Sequence, residues 1–163
     1  MGVAGAGKTS VGERLAGRLG VPFIEGDAFH PRSNVEKMAS GVPLDDADRW
    51  PWLDAIGAAI KDSPAEFLVV ACSALKRSYR ERLAATAGRP LLFGFLDASR
   101  KTLARRLAAR CEHFMSPRLL DSQLATLERP GPDENAIRVS AEPSLDIVVD
   151  NALAVLARVI QPR

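Results

Sequence analysis

The sequence predicts an α/β fold in which a parallel sheet is covered by helices on both faces. Three observations carry that expectation. Short runs rich in β-branched and aromatic residues alternate along the chain with stretches of helical periodicity. Those runs carry almost no charge, as strands buried on both faces require. A glycine-rich loop at the start of the chain opens directly into the first helical stretch.

Each element follows from its residues. Val11, Leu15 and Leu19 recur at helical spacing over residues 8–19, and Gly20 is the stop. Residues 21–26 form a short buried strand. A loop rich in Pro, Asp and Gly covers 27–48, with one short helix near 34–39, and a longer helix covers 50–61. Residues 67–72 (Phe67-Leu68-Val69-Val70-Ala71-Cys72) are the clearest strand. A helix over 76–86, a strand over 91–96 and a helix over 100–110 come next. Residues 111–132 read as a mobile excursion with its own helix, followed by a brief strand at 137–139 and a closing helix over 144–159. The expectation is one domain spanning 1–163, with a lid at about 111–130.

Composition excludes several classes. The chain has 163 residues, 47% of them apolar, and no window approaches the ~18 uninterrupted apolar residues of a membrane span. No secretory signal pattern is visible. Cys72 and Cys111 have neither disulfide-framework nor metal-ligand spacing, which fits a reducing, cytoplasmic location. A formal net charge of +2 is too small for a protein held to nucleic acid by phosphate neutralisation. The charge is nevertheless uneven: residues 76–118 carry 11 Lys and Arg against 3 Asp and Glu. Most of these arginines read equally well as solvated helix faces or as a few groups converging on a polyanion.

The run Gly2-Val3-Ala4-Gly5-Ala6-Gly7-Lys8-Thr9 fits G-x-x-x-x-G-K-[ST] at every fixed position. Glycines permit backbone conformations that turn successive N–H groups toward phosphate oxygens, and the helix that follows adds its positive dipole end. Lys8 reaches the β/γ-phosphates and the Thr9 hydroxyl is a candidate Mg²⁺ ligand. Gly2, Gly5, Ala6, Gly7, Lys8, Thr9 and Ser10 therefore make up a candidate nucleotide-phosphate site.

Three further constellations sit at strand ends or helix ends. Asp27 follows the strand over 21–26, at the carboxyl end where open α/β sheets bind ligands, and phosphoryl transfer to an alcohol needs a carboxylate there. It also reads as a turn or capping residue. His30, Lys37 and the cluster Asp45-Asp46-Ala47-Asp48-Arg49-Trp50-Pro51-Trp52 extend this region. Asp45 and Asp46 suit turn and capping chemistry, Asp48 suits a helix N-cap, and Trp50 and Trp52 suit packing. Ser73 and Lys76, after the strand over 67–72, face the same crevice, while Cys72 reads as a small buried apolar residue. Arg106 and Arg110 share a helix face at the root of the lid and can join the triphosphate site, with Arg105 pointing elsewhere.

Taken together, several segments resemble the gluconate kinases among the P-loop small-molecule kinases. They are residues 2–9, the runs 23–31, 34–38 and 41–52, the Cys72-Ser73-Ala74-Leu75-Lys76 run, His113-Phe114-Met115 and residues 122–128. The resemblance implies the three-layer α/β P-loop kinase fold and Mg²⁺- and ATP-dependent phosphorylation of D-gluconate at its 6-hydroxyl. It implies Lys8 and Thr9 on phosphate and metal, Asp27 as base or hydroxyl-orienting group, and Arg49 as carboxylate clamp. His30, Lys76 and His113 are implied as further contacts, residues 111–128 as the lid, and a homodimer is an assembly common among such proteins. Lys8, Asp27, Arg49 and Arg110 are then the expected catalytic set. Proteins of this kind carry an apolar strand ahead of the phosphate loop, and only Met1 stands there in this sequence. A natural chain that is longer upstream is the corresponding expectation. A shikimate-kinase-like enzyme and an inactive nucleotide-binding paralogue are the competing readings.

Overall fold

The protein is described by a computed structural model over residues 1–109 and 117–160. Its elements run α1 (Lys8–Leu19), β1 (Phe23–Glu25), a 3-10 turn (Gly26–Phe29), α2 (Arg32–Ala39) and α3 (Asp46–Asp62). They continue with β2 (Val69–Ala71), α4 (Arg77–Ala87), β3 (Phe93–Asp97), α5 (Arg100–Ala108), α6 (Pro117–Thr126), β4 (Ala136–Ser140) and α7 (Leu145–Ile160). The alternating helix–strand order expected from the sequence holds, and all pairing is parallel.

The strands form two pairs instead of one continuous sheet. In the first, Phe23, Ile24 and Glu25 stand opposite Val69, Val70 and Ala71. In the second, Phe93 through Asp97 stand opposite Ala136 through Ser140. Residues 1 and 2 lie between the pairs. The Met1 amino group donates to the Gly94 carbonyl (2.5 Å), and the Leu96 N–H donates to the Met1 carbonyl (3.0 Å). The Gly2 N–H donates to the Ser73 carbonyl just beyond β2 (3.1 Å). This is the parallel-ladder pattern, with Met1 in register with Phe95. Two residues are too few to make a strand, so the seam is narrow.

Two apolar cores pack against the strands. One gathers Val3, Val11, Leu75, Leu96, Leu103, Leu107, Val139 and Val149 under α1, α5 and α7. The other gathers Trp52, Leu53, Ile56, Ile60, Cys72, Tyr79 and Leu83 between α3 and α4. Gly26 shows how closely the second is packed. A Cβ added there would stand 2.4 Å from the Ala71 carbonyl oxygen, a backbone atom with little room to yield.

Several boundaries move from their sequence expectations, and each has a physical reason. The helix expected over 50–61 begins at Asp46, four residues earlier. Asp48 reads from the sequence as the N-cap. A capping box overrides that reading: Asp45, not Asp48, is the N-cap. The Asp45 side chain accepts from the Asp48 N–H and the Asp48 side chain accepts from the Asp45 N–H (2.9 Å each). The expected short helix is present as α2, and the 3-10 turn precedes it. The strand over 67–72 contracts to Val69–Ala71, with Phe67 left 56% exposed. The last strand lengthens to Ala136–Ser140 because β3 offers five partners.

Candidate active site

The carboxyl ends of the parallel strands bring the phosphate loop and the candidate substrate residues to one edge. Gly5 and Gly7 have φ of 80° and 91°, in the left-handed region that favours glycine, and Gly2 has φ of 143°. A Cβ at Gly2 would stand 3.0 Å from the Leu96 carbonyl oxygen, so the loop lies flat against the end of β3. α1 starts at Lys8 with no side-chain cap and no acidic residue in its first turn, which leaves its N–H end suited to an anion. The Lys8 ammonium spans the loop to donate to the Val3 carbonyl (3.3 Å). These features fit the phosphates of a nucleotide.

Thr9 donates its hydroxyl to Glu25 Oε2 (2.7 Å), and Glu25 Oε1 accepts the Asp27 N–H (3.2 Å). Glu25 thus ties the first turn of α1 to the residue expected to orient the acceptor hydroxyl. A hydroxyl and a carboxylate are the hard oxygen donors that Mg²⁺ takes, usually with phosphates and water completing its shell. Among the described residues, no cluster of three or more His, Cys, Asp or Glu side chains is placed to hold a metal alone. The sequence reading missed Glu25, although its position at the end of β1, two residues before Asp27, was the available signal.

Asp27 lies in the 3-10 turn with its side chain 67% exposed at the strand ends. Behind it, His30 is stacked on Trp52 with ring centroids 4.2 Å apart and an interplanar angle of 12°. Trp52 Nε1 donates to the Gly26 carbonyl (2.8 Å), which fixes the turn from below. Asn34 Nδ2 approaches His30 Nδ1 at 3.3 Å and also donates to the Asp48 carbonyl (2.8 Å). An amide donor facing Nδ1 makes that nitrogen the acceptor and leaves the proton on Nε2, 4.0 Å from Asp27 Oδ1. Burial lowers the His30 pKa from its ordinary 6.5, partly opposed by the Asp27 charge.

A depressed histidine pKa means the unfolded chain binds the proton more readily than the folded one. The stabilisation by neutral His30 is therefore complete above pH 6.5 and is lost as pH falls below it through the lower folded value. Urea unfolding of the protein and of His30→Gln at several pH values between about 7.5 and 5 checks this. The wild type should lose more stability than the variant across that range.

Beside this lies an open pocket of about 520 Å³ lined by Leu44, Asp45, Asp46, Ala47, Lys76, Tyr79 and Thr126. Lys76 Nζ donates to both oxygens of Asp46 (2.7 and 2.9 Å), and the Tyr79 hydroxyl donates to Asp46 Oδ1 in a short hydrogen bond. Those two bonds, from Lys76 first and Tyr79 second, hold the Asp46 pKa below the usual carboxylate range. Burial and Asp46 together push the Tyr79 hydroxyl well above the ordinary phenol value. The Arg49 guanidinium is buried under the same ring, 5.6 Å from its centroid, and donates from Nε and Nη2 to the Leu44 carbonyl (3.3 and 3.2 Å). Pro51 has no N–H to give the Ala47 carbonyl, and Ala47 is one of the residues lining the pocket.

The sequence-expected residues thus fall into groups. Lys8, Thr9 and Asp27 share the strand-end edge, and Lys76 lines the pocket. Arg49 lies beneath that pocket with part of its fork committed to Leu44. Ser73 meets the phosphate loop through its carbonyl. Lys37 instead grips Asp48 and Asp45 at the start of α3, and its pKa is raised first by the Asp48 hydrogen bond. Arg106, in the last turn of α5, donates to the Pro143 carbonyl (3.3 Å). Arg110 and His113 lie outside the described residues. Asp46 and Tyr79 are in the pocket although the sequence suggested only turn chemistry for Asp46 and nothing for Tyr79. Gln123 on α6 is a further addition: its Oε1 accepts the Ala4 N–H inside the phosphate loop (2.7 Å). The Cys72 thiol is buried, and burial pushes its pKa up to about 11, which disfavours the thiolate.

A glycine-rich anion loop before a helix, on a parallel α/β scaffold with an acidic and basic pocket at the same edge, defines a P-loop phosphotransferase. Residues 1–130 match the family model described as an AAA domain. A gluconokinase of Gluconobacter oxydans is 51% identical over 155 residues, covering 94% of this chain and 86% of that protein. The thermoresistant gluconokinase of Escherichia coli is 40% identical over 162 residues, covering 97% and 91%. The crystal structure of a gluconokinase from Sinorhizobium meliloti superposes with a TM-score of 0.88 at 50% identity, covering 98% of this chain and 90% of that one. The chain belongs to the gluconokinase family.

Proposed function

We propose that this protein transfers the γ-phosphoryl group of ATP to the 6-hydroxyl of D-gluconate, giving 6-phospho-D-gluconate and ADP. The observation that carries the reading is the Gly2 N–H to Ser73 carbonyl bond, which sets the phosphate loop three residues from Lys76. Nucleotide loop and sugar-acid pocket therefore adjoin at one edge. Loop N–H groups, Lys8 and the N-terminus of α1 hold the phosphates, with Ser10 in the first turn. Asp27 orients the attacking hydroxyl and takes its proton. Lys76 and Arg49 supply cationic groups for the carboxylate, while Asp46, Tyr79 and the Ala47 carbonyl are hydrogen-bonding partners for the polyol chain. Mg²⁺, held through Thr9 with Glu25 beside it, would neutralise charge on the β- and γ-phosphates. Arg106, Arg110 and His113 complete the reading on the lid side, about 111–130, of a single domain that works in the cytoplasm. Among the described residues, no helix is long and apolar enough to cross a membrane.

ADP release coupled to a spectrophotometric readout, with gluconate beside shikimate, tests this. Turnover with gluconate and none with shikimate is expected. ATP binding without turnover of any sugar acid would favour a nucleotide-binding protein and overturn the reading.

A further inference from the structure

We propose that Arg80 is a positioning residue for the sugar-acid pocket, locking the turn that presents Lys76 to the segment that follows Thr126, so that these two parts of the pocket lining move as one piece. The proposal rests on the functional reading above for what the pocket holds. Its geometry stands on its own. Arg80 lies on α4 and is only 2% exposed. Its Nη1 donates to the carbonyls of Ala74 (3.1 Å), Leu75 (3.3 Å) and Glu128 (3.1 Å). Its Nε and Nη2 donate to the two oxygens of Glu134 (2.5 and 2.9 Å). One guanidinium thus gathers three backbone oxygens and one carboxylate from two separate stretches of chain.

Both stretches carry pocket residues. Ala74 and Leu75 immediately precede Lys76, and Glu128 follows Thr126 by two residues. Other bonds cross the same joint: the Glu128 N–H donates to the Leu75 carbonyl (2.9 Å), and Glu128 Oε2 accepts the Arg77 N–H (2.7 Å). Ala74 has φ of 43°, the one non-glycine among the described residues in the left-handed region. A turn in that conformation needs its carbonyls held, and Arg80 holds two in succession. Glu134 is itself fixed by the Gly131 N–H (2.9 Å), so Arg80 holds the 128–134 stretch at both of its ends. A buried ion pair alone is weak evidence for stability. The planar five-donor fork is what allows turn and segment to be held together, and a lysine ammonium at the end of a flexible stem cannot reproduce it.

The test uses Arg80→Lys and, in case that variant fails to fold, Glu134→Gln, which leaves the guanidinium in place without its counter-charge. Arg80→Lys should raise the gluconate KM about tenfold or more while the ATP KM changes by less than about twofold. Glu134→Gln should show the same split at smaller size. A role in stability alone would lower the melting temperature and leave both KM values unchanged, and that result in a folded Arg80→Lys overturns the proposal. Hydrogen exchange gives a readout independent of substrate. The Arg77 and Glu128 amides, one on each side of the joint, should gain exchange rate together in Arg80→Lys. Gain at one alone also overturns it. If the wild-type protein does not turn over gluconate, the functional reading fails, and the exchange experiment decides on Arg80 by itself.

Discussion

Asp27→Asn should lower kcat by roughly 10²–10⁴-fold, the range that positioned proton transfer contributes, with ATP binding retained. Asparagine keeps the size of the side chain and its capacity to accept a hydrogen bond in a turn. It loses only the charge and the basicity. The substitution therefore separates the two readings that the sequence left open for this residue. A capping or turn role survives it, since asparagine serves in both. The main-chain geometry should also persist, because the Asp27 N–H is held by Glu25 and the preceding carbonyl by Trp52. Steady-state kinetics beside ATP affinity by calorimetry give the result. A variant with wild-type kcat would remove Asp27 from the chemistry.

Trp52→Ala should destabilise the protein by about 3–5 kcal/mol, the usual range for truncating a large buried aromatic. Trp52 is fully buried in the core between α3 and α4. Its ring also carries His30 on one face, and its indole N–H holds the Gly26 carbonyl. Against a typical total of roughly 5–15 kcal/mol, that loss would leave the variant marginal at 37 °C. Trp52→Phe separates the contributions. It keeps an aromatic surface for His30 but leaves the Gly26 carbonyl without its donor, an effect of about 1–3 kcal/mol. Equilibrium urea unfolding measures both. Because Gly26 precedes Asp27, the phenylalanine variant should also lose activity beyond what its folded fraction explains.

How much of this was legible in the sequence depended on whether the deciding interaction was local. Residues 2–9 announced the anion loop because its requirements, glycines and a following helix, are all met within one short run. Asp27, Ser73 and Lys76 were found from a rule about strand ends, and the parallel pairing places them at that edge. The α3 boundary failed locally: Asp48 suggested an N-cap, and the reciprocal Asp45–Asp48 cap starts the helix at Asp46 instead of residue 50. Lys37 reads as a substrate contact until the fold brings it onto Asp45 and Asp48, eight and eleven residues away. Glu25, Tyr79 and Gln123 act through partners 16, 33 and 119 residues distant, which no periodicity or spacing encodes. The division of the sheet into two pairs likewise depends on what lies beside residues 1 and 2 in space.

The left-handed backbone at Ala74 has a consequence for how heat takes the molecule apart. Ala74 is buried in the core of α3 and α4, while its neighbour Leu75 is buried in the core of α1, α5 and α7. The kink turns consecutive side chains into different interiors, so two residues joined by one peptide bond belong to both halves. Neither half can melt without dragging an anchor out of the other. Calorimetry should accordingly find a single endotherm whose van't Hoff and calorimetric enthalpies agree, despite a strand layer that is split in two.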